Sequence, residues 1–170
     1  MYEKIISRRS TKCYKSDMPS DELIDKVINA GLYAANGRNW QSPIIIAVKD
    51  KAVRDKLAAI NARVMGAEGT DPFYNAPVVL CVLADKSRMT YLYDGSLTMG
   101  NMMLAAHALG LGSCWVHRAK EEFESEEGKE ILRSLGIEGE FEGIGNLILG
   151  YPDGEERPCA PRNENRVYKI

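Results

Sequence analysis

Four short stretches of the chain hold the side chains most able to do chemistry. Near the N-terminus, Arg8-Arg9-Ser10-Thr11-Lys12 places two guanidiniums, a hydroxyl and an ammonium side by side. Guanidinium forks take phosphate or carboxylate oxygens two at a time and a hydroxyl adds one more bond, so the cluster suits an anion; a basic surface turn is the simpler alternative. In Ala34-Ala35-Asn36-Gly37-Arg38-Asn39-Trp40-Gln41-Ser42-Pro43, two Asn and one Gln each offer a donor and an acceptor. Such amides pair with the carbonyl and imide edges of a heterocycle, although Asn-Gly also reads as plain turn chemistry. In Gly110-Leu111-Gly112-Ser113-Cys114-Trp115-Val116-His117-Arg118, the glycines permit close backbone approach to a planar ligand. Last, Arg157-Pro158-Cys159-Ala160-Pro161-Arg162 supplies a further cation, Arg162, able to reach the same anion as the first cluster.

Other chemistries find less support. There is no Gly-x-x-x-x-Gly-Lys-[Ser/Thr] and no Gly-x-Gly-x-x-Gly, so neither a P-loop nor a dinucleotide fingerprint is present. His107 and His117, the two histidines, lie on one local stretch, which disfavours a Cys–His pair built on Cys114. No Cys or His pair has zinc-ligand spacing. The glutamates from Glu121 to Glu142 have no interleaved His or Asp and read as a solvated face. Phe73, Tyr74 and Tyr91 sit in segments that read as loops, where they can stack on a planar acceptor or simply pack the loop.

The elements that must position these residues follow from length and patterning. The chain has 170 residues, which suits one domain over residues 1–170. A net charge of −2 provides no global basic field for nucleic acid, and no apolar run is long enough for a membrane span. The first residues lack the pattern of a secretory signal, and the widely spaced Cys13, Cys81, Cys114 and Cys159 suit a reducing, cytoplasmic setting. Ser20 predicts the start of a helix carrying Leu23, Ile24, Val27 and Ile28, and Asp50 predicts another with Val53, Leu57, Ile60 and Val64. Strands are expected at Ile44–Val48, Val78–Ala84, Ser113–His117 and Gly143–Leu149. A helix over Gly95–Leu109, capped by Asp94, is apolar nearly all round and must be covered by a partner subunit or by the rest of the domain. A polar helix is expected around Ser125–Leu135 with Ile131, Leu132 and Leu135 inward. The last 20 residues, with Pro152, Pro158 and Pro161, should run extended.

Taken in order, these stretches resemble a known family. Arg-Arg-Ser-Thr-Lys, the helix-exit Asn-x-x-Asn-x-Gln-x-Pro, Asn75-Ala76-Pro77 before a buried strand, the run Asn101 to Trp115, and Gly150-Tyr151-Pro152 leading to Pro161-Arg162 look like the nitroreductase family of FMN-dependent oxidoreductases. The resemblance implies an α+β fold: a three-layer sandwich in which a mixed, mostly antiparallel sheet is flanked by helices, dimeric, with an extended C-terminal tail. It implies that Arg8, Arg9, Ser10 and Lys12 hold the FMN phosphate and ribityl chain. Asn36, Gly37, Asn39 and Gln41 would reach the flavin of the other subunit. Trp115, Val116, His117 and Arg118 would lie along the isoalloxazine, with Arg162 as the retained C-terminal cation.

The activity implied is hydride transfer from NADH or NADPH through FMN to a small planar acceptor, a nitroaromatic or a quinone, in a ping-pong scheme on a homodimer. The cofactor does the chemistry and the protein binds and orients it, which accounts for the lack of a convincing catalytic triad and of any metal site. Two alternatives stay open: a flavin-binding or storage protein with little turnover, and a flavin enzyme specific for another organic substrate.

Overall fold

Val78–Asp85 is apolar at every position before its last residue, so both of its faces must be covered. In the computed structural model, which describes residues 1–155 and 158–170, this segment is strand β2 at the centre of the molecule. The elements in chain order are α1 (Tyr2–Ser7), α2 (Asp21–Leu32), β1 (Pro43–Val48), α3 (Lys51–Val64), β2 and α4 (Tyr91–Ala108). They continue with β3 (Gly112–Val116), α5 (Ala119–Glu124), α6 (Glu126–Ser134) and β4 (Phe141–Gly150). A 3-10 turn at Gly37–Asn39 lies between α2 and β1.

The four strands form one sheet in the order β1-β2-β4-β3, with every neighbouring pair antiparallel. Of the mixed character expected from sequence, only the isolated parallel bridge Ser10–Ser113 is present among the described residues. One apolar layer lies between the sheet and α2 and α4, built from Ile24, Val27, Leu80, Val82, Met99, Met102, Leu147 and Leu149. The other lies between the sheet and α3 and α5, built from Leu57, Val79, Cys81, Leu83, Cys114, Val116, Phe123 and Ile148. This is the expected helix–sheet–helix sandwich.

Local signals hold where they were purely local. Ser20 accepts the Leu23 N–H at 3.4 Å and Asp50 accepts that of Val53 at 3.0 Å, each starting its helix. Other expectations need correction. Helix α4 begins at Tyr91 after Thr90, so Asp94 lies inside the helix rather than capping it. Tyr91 is therefore the first residue of a helix, not a loop aromatic, and it packs half-buried on the layer beneath α4. The polar helix expected around Ser125–Leu135 is present as α6, capped by Ser125, and a further short helix, α5, precedes it. Leu135 is exposed rather than inward, while Glu122, expected on a solvated face, is fully buried.

Glycines in β4 set how closely its neighbours approach. A Cβ on Gly143 would strike the backbone of Ala119, so its absence lets the start of α5 lie on the strand. A Cβ on Gly145 would strike the indole of Trp115, so its absence lets that ring pack against β4.

Candidate functional site

The first cluster is positioned by backbone pairing against the edge strand. Thr11 N–H bonds the Ser113 carbonyl at 3.0 Å, and farther on Lys15 N–H bonds the Tyr151 carbonyl at 2.9 Å. Residues 8–15 thus run along the outer edge of β3 and then beside the segment that follows β4. Gly112 has no Cβ to meet the Thr11 side chain, which lets the two backbones close together.

Within this segment the cations are in different states. Arg8 Nη1 is buried with no hydrogen-bond partner, an exception among buried donors and the mark of a group that expects an anion. Arg9 turns back on α1, its Nη1 donating to the carbonyls of Ile6 and Arg8 at 2.8 Å each. Lys12 is exposed, its ammonium 5.4 Å from the centre of the Tyr74 ring. Ser10 is also exposed, at the bridge to β3.

Lys12 and Tyr74 border a cavity of about 440 Å³ whose floor is Cys114, Trp115, Val116, His117 and Arg118. Along β3, the carbonyl of Ser113 faces outward to Thr11, so alternation places the N–H and C=O of Trp115 on the same outer edge. The side chains do not share that direction. Trp115 packs into the layer beneath α4, and Val116 and Cys114 into the opposite layer. Trp115 and Val116 therefore offer backbone, not side chains, to the cavity. His117 and Arg118 are exposed, and Arg118 has φ 78 and pairs with Glu121 at 2.8 Å.

The structure does not bring the expected residues together in one chain. Gly37 donates its N–H to Asp94 at the N-terminal end of α4, whereas Ser7, just before Arg8, contacts His107 at the other end with 2.9 Å between Oγ and Nε2. Asp94 and His107 are 13 residues apart, roughly 20 Å at ~1.5 Å per residue. Between residues 36 and 41, Asn36 accepts the Gln41 N–H at 2.9 Å and Asn39 accepts the Gln41 side-chain amide at 3.1 Å. Arg38, Asn39 and Gln41 all take positive φ, so this turn is tightly specified. Arg162, in the tail, makes its one polar contact among the described residues with Cys159 Sγ at 3.2 Å and is not joined to Arg8. Arg157 lies outside the described residues.

The aromatic candidates divide. Tyr74 borders the cavity. Phe73 is fully buried, its ring 5.5 Å from the Arg54 guanidinium, so it belongs to the core and has no face to offer a substrate. Tyr91 packs at the start of α4, as described above. Cys114 has no histidine within hydrogen-bond reach; its thiol faces the Trp115 carbonyl at 3.6 Å. Among the described residues no group of three metal-binding side chains occurs.

Two buried polar networks escaped the sequence. Asp94, buried to 3% exposure, accepts from Gly37 N–H at 3.0 Å, Thr90 Oγ1 at 2.8 Å and Ser42 Oγ at 3.3 Å. Glu122 accepts from the side-chain amides of Asn61 and of Asn146, the latter at 2.6 Å. Asn61 also donates to the His117 carbonyl at 2.8 Å. Burial pushes the Glu122 carboxyl up to about 7, against the pull of the two amide donors. Both sets join residues far apart in the chain, and only the polar type of each member was visible beforehand.

The residues present fit a planar anionic cofactor: a buried, unpartnered Nη1 on half-buried Arg8, neighbouring cations, and the peptide edge of Trp115 opening on a cavity of about 440 Å³. Comparison with known proteins agrees in fold and family. The nitroreductase family model matches residues 5–151. A protein of Archaeoglobus fulgidus, provisionally named NADH dehydrogenase/NAD(P)H nitroreductase, is 31% identical over 157 residues, covering 89% of this chain and 85% of that protein. The structure is similar to a nitroreductase with bound FMN from Bacteroides fragilis, with a TM-score of 0.90 at 24% identity over 99% of this chain and 97% of that one. An FMN-dependent nitroreductase from Clostridium difficile aligns with a TM-score of 0.85 at 25% identity, covering 99% of this chain and 98% of that chain. This chain belongs to the nitroreductase family.

Proposed function

We propose that the protein is an FMN-dependent oxidoreductase that takes hydride from NADH or NADPH and passes electrons to a small planar acceptor such as a nitroaromatic or quinone. The observation that carries this reading is the buried, unpartnered Arg8 Nη1 at the start of the segment that runs along the outer edge of β3. FMN and NAD(P)H appear in the names of the relatives and structural neighbours above, which supports the same reading. Bound FMN would supply hydride acceptance and electron release, for which the protein needs no nucleophile of its own.

The chain's residues then bind and orient. Arg8, with Ser10 and Lys12, meets the phosphate; Arg9 steadies the turn by holding the end of α1. The backbone of Trp115 to Arg118 presents donors and acceptors to the ring edge, and Tyr74 covers the cavity mouth. A second copy of the chain completes the site, because residues 36–41 lie too far from Arg8 to serve the same cavity within one chain. That copy would seat on the outer face of α4, where Leu92, Tyr93 and Leu97 are exposed. Arg162 on the C-terminal tail would add its charge once the tail is seated.

A flavin spectrum of the purified protein followed by anaerobic titration with NADH and NADPH tests the proposal. Flavin near-stoichiometric with chains, bleached by a donor and restored by a quinone or nitroaromatic, is expected. A protein that takes up no added FMN contradicts it.

A further inference from the structure

Beneath the cavity floor, three fully buried polar residues from three elements converge: Asn61 on α3, Glu122 on α5 and Asn146 on β4. Glu122 receives both amides, and Asn61 spends its second N–H on the carbonyl of His117, the residue that leaves β3. Burying a carboxylate on two amide donors with no countercharge is costly, and an apolar side chain would fill the space more cheaply. The Asn61 and Asn146 carbonyl oxygens have no partner, so the network is not even a complete one. Such an arrangement is weak as a stability device. It does connect a buried acid, through a single residue, to the backbone that borders the cavity.

We propose that Glu122 is a positioning residue for this site, acting through Asn61 to hold the His117 carbonyl and with it the His117–Arg118 turn against the cavity. The inference rests on the flavin reading of that cavity. The turn needs holding: Arg118 sits at φ 78, and β3 ends one residue before His117. Helix α5 is seated by close backbone contact at Gly143 and Gly128, and Glu122 is the polar side chain it buries, linked to the turn through Asn61. The titratable groups facing the carboxyl are the Cys81 thiol from β2 and Glu121 from its own helix, while α3 and β4 present only the two amides. Holding a proton, Glu122 can also donate to one Asn oxygen after an amide rotation, so the grip on Asn61 depends on its protonation.

The test compares wild type with Asn61→Ala, which cuts the link, and Glu122→Gln, which keeps the shape without the charge. In flavin-free protein, hydrogen exchange of the Glu122 N–H, bonded to the Arg118 carbonyl at 3.0 Å, should quicken about tenfold or more in Asn61→Ala while β2 stays protected. Unchanged exchange, or equal loss of protection in β2, overturns the proposal. In FMN-loaded protein at saturating donor, reduction should slow about 10- to 100-fold in Asn61→Ala with flavin stoichiometry retained. The wild-type pH profile should show an inflection near pH 7 that Glu122→Gln lacks. A shared profile overturns the proposal. If wild type binds no FMN, the flavin reading fails, and the exchange comparison still decides whether Asn61 and Glu122 hold the turn.

Discussion

Gly37 donates its backbone N–H to the buried carboxylate of Asp94 at 3.0 Å, and this one bond ties the turn after α2 to the start of α4. Only glycine fits, because a Cβ at Gly37 would strike the Thr90 hydroxyl. Asp94 holds Thr90 and Ser42 as well, so it fixes the whole approach of residues 36–42. Asp94→Ala leaves three donors short of their acceptor and should lower unfolding stability by about 1–3 kcal/mol. Urea unfolding checks this; a midpoint unchanged from wild type contradicts it.

Arg8 is the cation whose buried nitrogen lacks a partner. Arg8→Ala should weaken FMN binding by about 1.5–3 kcal/mol, or roughly 10- to 150-fold in Kd, the loss expected of a charged hydrogen bond. Adding Arg162→Ala should weaken it further if the tail brings its cation to the same phosphate. Fluorescence titration of the flavin-free protein measures both. Affinity unchanged in the double variant would remove the phosphate from this pocket.

Glu122 makes stability depend on pH. Its carboxyl is raised from 4.5 to about 7 by burial, so the native protein keeps a proton that the unfolded chain releases. The stabilisation is fully present below pH 4.5 and is lost as pH rises through about 7. Glu122→Gln carries no charge at any pH, so its stability relative to wild type should improve between pH 5 and pH 8 by up to about 3 kcal/mol. Equal differences at the two pH values would contradict a raised Glu122 carboxyl titrating between them.

Leu92, Tyr93 and Leu97 are exposed on α4, whereas Met99 and Met102 of the same helix are sealed against the sheet. A charge placed among them by Leu97→Glu should convert a dimer to monomers and, by removing the partner's residues 36–41, lower FMN affinity. Sedimentation velocity on wild type and variant reads this directly. A monomeric wild type contradicts the shared site.

What could be read beforehand divides along physical lines. Ser20 and Asp50 were legible as caps because a cap is satisfied within three residues, and Val78–Ala84 as a buried strand because its apolar run admits little else. Arg8 to Lys12 stood out by charge. Asp94 was misplaced because an acidic residue ahead of an apolar helix looks like a cap, and its partner Gly37 lies 57 residues away. Glu122 was hidden among solvent-facing glutamates, since nothing local marks that Asn61 and Asn146 close over it. Phe73 lay in a Gly- and Pro-rich segment that reads as surface, yet its ring serves the core. Contacts made across long sequence separation are the ones that patterning does not report.

A flavin held by the Arg8–Lys12 segment and the outer edge of β3 should undergo reduction and reoxidation. Anaerobic titration of the FMN-loaded protein with NADH or NADPH, followed by its visible spectrum, tests this most directly. The oxidised flavin bands should disappear at about one donor per flavin and return on adding a quinone or nitroaromatic. A colourless protein that takes up no FMN, or a bound flavin that neither donor reduces, would contradict it.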